Sequence, residues 1–325
     1  MAPPRSTVAL TSGALDLQAR TLRIGTRGSP LALAQAHEVR ARLMAAHGLP
    51  EEAFEIRVYK TTGDVIQDRP LAEVGGKGLF TKEIEEALIA REIDLAVHSM
   101  KDMQTVLPDG LTVGAVLTRE DVRDAFISLK YASLAALPEG AVVGTSSLRR
   151  QAQVKRLRPD LQVVGFRGNV QTRLKKLADG VADATLLACA GLKRLGMADR
   201  ITAPIATEEI LPAVAQGAIA IEVRGDDAAT AEAVTPLDDA ATGRCVTAER
   251  AFLARLEGSC RTPIAGLAEL LGDTLRLRGM VFSVDGERSF DITREGPADT
   301  ADALGTAAAD ALIELGAHAL LARSF

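Results

Sequence analysis

Tryptophan is absent from this chain, and the other aromatics are few: eight Phe and two Tyr in 325 residues. Proteins that stack single-stranded nucleic acid on aromatic platforms need more, so that class is disfavoured and no nucleic-acid partner is expected. Cysteine is scarce too. Cys189, Cys245 and Cys260 are odd in number and far apart, with no CxxC and no Cys/His cluster. Neither a disulfide framework nor a metal site is expected, and a reducing, cytoplasmic setting fits. No apolar run approaches the roughly 20 residues of a membrane span, so no membrane partner is predicted. Residues 1–21 lack the long apolar core of an export signal and read as a flexible tail. Nucleotide-binding loops are missing as well. Gly75-Gly76-Lys77-Gly78 looks like a phosphate loop, but Leu71 stands at the first glycine position and Gly78 at the Ser/Thr position. No strand–GxGxxG–helix unit occurs.

What is present is an ordinary globular composition, 47% apolar and 25% charged. The length suits two or three domains at roughly 100–200 residues each. The net charge of −5 hides a gradient. Residues 145–200 hold 12 basic and 4 acidic side chains, a balance of +8, while residues 201–325 hold 10 and 20. A basic block inside an acidic protein points to an anion site.

The hydrophobic pattern predicts two α/β units and a smaller α+β unit. Strands over 22–26, 54–59 and 93–97 alternate with helices over 30–47 and 81–91, the signature of a parallel sheet. The series restarts after Asp121-Val122-Arg123-Asp124, with strands at 142–143, 163–166 and 184–188 and helices at 148–157 and 170–178. Residues 219–223 read as a strand returning to the first unit. Beyond residue 242 a helix over 246–256, strands over 275–282 and 289–293, and a helix over 301–315 form the third unit. No internal repeat is visible. The expected domains are 22–117 with 218–239, then 118–217, then 240–325, around a cleft of the kind that holds small molecules.

Four segments carry chemistry. Val97-His98-Ser99-Met100-Lys101-Asp102 leaves the C-terminal end of a buried strand, where open parallel sheets place ligands; His98 alone reads as a packing residue. Thr145-Ser146-Ser147-Leu148-Arg149-Arg150 starts a helix, whose free N–H groups and dipole suit an anion. Arginines in that first turn oppose the dipole unless an anion answers them. Phe166-Arg167-Gly168-Asn169 with Arg173 repeats the pattern, and Lys193-Arg194 extends the rim. Arginine's planar fork matches carboxylates. Gly258-Ser259-Cys260-Arg261-Thr262-Pro263 puts a cysteine in a turn beside a cation, which favours thiolate. Cys189, in an expected strand, and Cys245 read as core.

Together with Arg23–Leu33, Val74–Phe80, Arg167–Val170 and Ala190–Gly196, these segments resemble, in order, the hydroxymethylbilane synthase (porphobilinogen deaminase) family. The resemblance implies a transferase that joins four porphobilinogen molecules head to tail, releases ammonia at each step, and frees hydroxymethylbilane for tetrapyrrole synthesis. It implies two periplasmic-binding-protein-like domains and a small third one. It also implies a dipyrromethane cofactor on a thioether to Cys260, with Ser99, Lys101, Asp102, Thr145, Ser147, Arg149, Arg150, Arg167 and Arg173 around it. Arg27, Ser29, Arg149, Arg167, Arg173 and Arg194 match substrate-binding positions, and Asp102 the catalytic aspartate. A monomer is expected, with hand-over of product to a tetrapyrrole-cyclising enzyme. Departures from the family pattern are Glu73 for a cation, Met103-Gln104 for Val-Pro, Ala215-Gln216-Gly217 for Gly-Gln-Gly and Ala34 for Trp. The competing reading is a two-lobed solute-binding protein without catalysis, which would need no Cys260.

Overall fold

A computed structural model of the chain describes residues 20–65, 78–259 and 262–321. Its first part runs β1 (Leu22–Arg27), α1 (Pro30–His47), β2 (Phe54–Tyr59), α2 (Thr62–Val65), α3 (Lys82–Ile89), β3 (Leu95–Ser99) and β4 (Leu111–Val116). The second part holds β5 (Asp124–Ile127), β6 (Val142–Gly144), α4 (Leu148–Leu157), β7 (Gln162–Val164), α5 (Val170–Ala178), β8 (Ala184–Ala188), α6 (Cys189–Arg194) and β9 (Ala203–Pro204). Then come β10 (Ile219–Arg224), α7 (Ala228–Val234), α8 (Ala240–Arg255), β11 (Ile264–Leu271), β12 (Thr274–Phe282), β13 (Ser289–Pro297), α9 (Ala301–Glu314) and α10 (His318–Leu321).

Local chemistry explains the boundaries. Ser29 caps α1 by accepting from the Ala32 N–H at 3.3 Å, Pro30 fills the first helical position, and Gly48 ends the helix at φ 65°. Ala36, Val39 and Leu43 form its buried stripe. β3 and β10 are almost wholly buried, as strands covered on both faces must be.

The strands form three sheets. The first has the order β2-β1-β3-β10-β4 and the second β7-β6-β8-β5-β9. In each, three parallel strands are followed by an antiparallel one. The same topology therefore occurs twice, although no sequence repeat announces it. In the first sheet the antiparallel strand is β10, which comes back from beyond β9 and lies between β3 and β4. The chain thus crosses between the two lobes twice, at residues 117–123 and 205–218. The two crossings lie side by side: Leu117 N–H donates to Ile219 O at 3.0 Å and Glu120 N–H to Gly217 O at 3.2 Å. The third sheet, β11-β12-β13, is antiparallel and packs with α8 and α9 around Phe252, Leu277 and Leu312.

Several elements differ from expectation. Cys189 does not lie in a strand; it is the first residue of α6, still fully buried. Helix α8 begins at Ala240, six residues early, because Asp239 caps it by accepting from Thr242 N–H at 2.8 Å. Strands β4, β5 and β11 carry no clear alternation in the sequence, so no pattern announces them.

Candidate functional site

The C-terminal ends of β1, β3, β6, β7 and β8 meet at one cavity of about 690 Å³, within the roughly 300–1,000 Å³ usual for small-molecule sites. Ser29, Ser147 and Asn169, the N-caps of α1, α4 and α5, all line it. Ser147 Oγ accepts from Arg150 N–H at 3.4 Å, and Asn169 Oδ1 from Thr172 N–H at 2.8 Å. Three helix dipoles therefore present their positive ends to one space. Ser259 and Thr262, which bracket residues 260–261 in sequence, also line the wall, with Leu253 and Ile264 of the third unit. Cys260 itself lies outside the described residues, as do residues 1–19 and the Gly-rich stretch with Glu73.

Most expected residues reach this cavity: Arg27, Ser29, Lys101, Asp102, Ser147, Arg149, Arg150, Arg167 and Arg173. Lys101 and Asp102 sit on a short 3-10 turn directly after β3. Three do not reach it. Ser99 Oγ is bonded to the Gln35 amide at 2.8 Å. Thr145 is buried and accepts from Ser147 N–H at 3.2 Å. Arg194 donates to Glu38 at 3.3 Å and Gly217 O at 3.0 Å, joining α6 to α1 and to the second crossing.

The cations divide by what answers them. Arg149 and Arg150 are 4% and 5% exposed and share one carboxylate, Asp124, which is fully buried. Arg149 Nη2 lies 2.8 Å from Asp124 Oδ2, and Arg150 grips Asp124 with Nε at 3.1 Å and Nη2 at 2.7 Å. The anion expected in that first turn is thus a side chain of the protein. Burial alone would raise the Asp124 carboxyl; the two guanidiniums reverse this and hold it well below the usual carboxylate range. Arg27 is likewise held by Asp64, at 2.5 Å, and lies over the Phe80 ring at 4.3 Å.

Lys101 and Arg173 are different. Among the described residues neither has a carboxylate within ion-pair distance. Lys101 Nζ donates to Gln216 Oε1 at 3.3 Å, and Arg173 Nε to Gly168 O at 2.8 Å. Burial pushes the Lys101 ammonium down to about 8, with Asp102 opposing and Arg150 and Arg149 adding to the fall. Burial, then Arg150 and Arg167, push Arg173 down to about 10. Two half-buried cations with no carboxylate in ion-pair reach, beside three helix N-termini, fit a ligand that carries carboxylates. Such a donor set suits the acidic side chains of a pyrrole-based cofactor.

Sequence reasoning missed Asp124 and Gln216. In the sequence Asp124 marks only a boundary, since nothing local shows that β5 will lie against β8 beneath the two arginines. Cys189 and Cys245 are buried, and burial pushes both thiols up to about 11, the inert direction. His98 pairs with Glu222 at 3.1 Å inside the first sheet, the packing role expected of it. Among the described residues no helix is long and apolar enough to cross a membrane.

The family model "Porphobilinogen deaminase, dipyromethane cofactor binding domain" matches residues 22–232, and "Porphobilinogen deaminase, C-terminal domain" matches residues 243–314. A porphobilinogen deaminase of Paracoccus denitrificans is 62% identical over 291 residues, 90% of this chain and 93% of the relative. One from Nitrobacter hamburgensis is 58% identical over 304 residues, 94% and 95% of the two chains. Among solved structures, the methionine binding protein MetQ aligns at TM-score 0.41 with 14% identity, over 66% of this chain and 89% of the other.

Proposed function

The chain belongs to the porphobilinogen deaminase family, and from that membership we propose how its own residues carry the reaction. The protein is a transferase of tetrapyrrole synthesis that condenses porphobilinogen with loss of ammonia. When bound, the dipyrromethane group supplies the pyrrole carbon to which the first substrate is joined. We assign its attachment to Cys260, in the Gly258–Pro263 segment, since Cys189 and Cys245 are buried in the core. Ser259 and Thr262 on the cavity wall support that assignment. The two-lobed solute-binding reading gives these features no purpose.

The cations set the binding. Each porphobilinogen carries an acetate and a propionate. Arg173 and Lys101, which lack internal carboxylates, take such groups first. The N–H donors at the starts of α1, α4 and α5 add further grip. Arg149 and Arg150 line the cavity as a pair already half-neutralised by Asp124, so they contribute field more than a free fork. Arg27, Ser29 and Arg167 complete the rim. Ser99, Thr145 and Arg194 act from behind the wall, holding the segments that line it.

Asp102 supplies the acid–base and electrostatic work. Loss of ammonia from porphobilinogen leaves a methylene-pyrrole cation. A carboxylate beside the pyrrole N–H accepts its hydrogen bond and stabilises the positive charge. The same group takes the proton released when the new carbon–carbon bond forms. The protein works as a monomer in the cytoplasm and passes its linear product to a cyclising enzyme. The three units take the boundaries 22–117 with 218–239, 118–217 and 240–325.

One observation carries this reading: a cavity lined by Lys101 and Arg173 with only neutral acceptors, and with residues on both sides of Cys260 in its wall. Intact mass tests it. Purified protein will exceed its sequence mass by one dipyrromethane adduct, and Cys260→Ser will show the sequence mass and no turnover. Full activity without an adduct would refute it.

A further inference from the structure

Gln216 is a neutral side chain buried among charges, and nothing in the reaction yet explains it. Its Nε2 donates to Val122 O and to Asp124 Oδ1, both at 2.8 Å. That uses the amide's two donors and fixes which way it faces. The carbonyl Oε1 is left toward the cavity, where Lys101 Nζ donates to it. Lys101 belongs to the first lobe and Asp124 to the second, and Gln216 stands in the crossing between them. One amide therefore links the lysine to the Asp124–Arg149–Arg150 cluster.

The backbone around Gln216 is strained in a way that serves this placement. Ala215 has φ 59°, in the left-handed region that non-glycine residues avoid. Gly217 has φ 92°, and a Cβ there would lie 2.4 Å from Glu120 O. The neighbouring groups hold this shape. Glu249 accepts from Ala215 N–H at 2.6 Å, and Arg119 Nε donates to Gln216 O at 2.9 Å. A strained residue before Gln216 and a position open only to glycine after it mark a place where orientation matters.

We propose that Gln216 is a positioning residue for Lys101: it fixes the ammonium at the cavity wall across the lobe boundary while withholding the negative charge that would neutralise it. This rests on the reading of Lys101 as a ligand-binding cation. A carboxylate at position 216 would satisfy Lys101 from inside and remove its attraction for a substrate or cofactor acid. A neutral acceptor holds it and leaves its charge available. The charged groups facing Lys101 are Asp102 on its own turn, Arg149 and Arg150 on α4, and Asp124 on β5. With Asp124 already shared by two arginines and Asp102 acting on the lysine only through space, the amide of Gln216 is the group that bonds it.

The test is the titration of Lys101 itself, read by competitive acetylation with trace acetic anhydride and peptide mass spectrometry on the holoenzyme. Gln216→Glu, which keeps size and shape, is expected to raise the Lys101 midpoint by at least one pH unit. It should also lower kcat/KM for porphobilinogen about tenfold or more, mainly through KM. Gln216→Met, which removes the acceptor, is expected to lower the midpoint and also to raise KM. An unchanged Lys101 midpoint in Gln216→Glu overturns the proposal, whether or not Gln216→Met folds. Lys101→Met separates the two ideas. A wild-type KM and a full cofactor mass in that variant would remove Lys101 from the binding site, while the labelling shift would still report what Gln216 does.

Discussion

At the residue scale the site is a contest between burial and counter-charge. Asp102 lines the cavity next to a lysine whose charge is answered by an amide. Replacing it by Asn keeps the shape and removes both the proton acceptor and the negative field. Asp102→Asn should therefore fold normally and lose turnover by about 10²-fold or more, measured as product formation under saturating porphobilinogen. Lys101 gives a prediction of a different kind. Its folded-state value of about 8 lies below its ordinary 10.5. Between those two pH values the unfolded chain binds a proton there and the folded chain does not, so stability rises with pH across that window. Below about 8 both states are protonated and the contribution is flat. The Cys260→Ser protein, which lacks the thiol for the cofactor, should show this rise in urea titrations at pH 8 to 10.5, and adding Lys101→Met should abolish it.

At the scale of single elements, the helices around the cavity depend on their caps. Asn169 holds the start of α5, and the helix carries Arg173 one turn later. Asn169→Ala should cost about 1 kcal/mol of stability and should raise KM more than it lowers kcat. Amide hydrogen exchange at Thr172 and Arg173 will show whether the first turn frays. Much of this is legible in the residues alone. Ser29-Pro30, Thr145-Ser146-Ser147 and Gly168-Asn169 are local signals, so helix starts at 30, 148 and 170 follow directly from them. The helices 148–157 and 170–178 and the strands 54–59 and 184–188 have the expected bounds. The features that escape such reading are non-local. Ile264–Leu271 is apolar without alternation because both its faces are buried near α8, so periodicity has nothing to show. Asp124 becomes part of the site only through strand pairing with β8, and Gln216 only through the crossing of two distant segments. The cation-rich segments are readable; the protein groups that answer them are not.

At the scale of the whole molecule, Glu249 joins both lobe crossings to the third unit. It sits fully buried on α8, accepts from Arg119 at 2.6 and 3.0 Å, and also accepts from Ala215 N–H at 2.6 Å and Ala268 N–H at 2.8 Å. Both lobe crossings, the third sheet and α8 meet at this one group. Glu249→Gln removes the charge while keeping the volume, and leaves Arg119 without its partner. Breaking a buried pair from one side typically costs about 3–5 kcal/mol. The expected outcome is a loss of that size in denaturant unfolding, with a parallel loss of activity because Ala215 and Gln216 lose their support. A Gln variant as stable as the parent would show that the crossings are held by other contacts.

The interleaved first sheet has a further consequence, for the order in which the chain can assemble as it is made. All strands of the second sheet lie between Asp124 and Pro204, so that lobe is complete in sequence before β10 exists. The first sheet cannot close until residue 224 has been synthesised, because among the described strands β4 pairs only with β10. Synthesis from the N-terminus thus lets the later lobe finish first, with β1, β2 and β3 waiting as a partial sheet. The strand that ends that wait is the one continuing directly from Gln216-Gly217, so the first lobe is closed by the same stretch of chain that places the amide between the lobes.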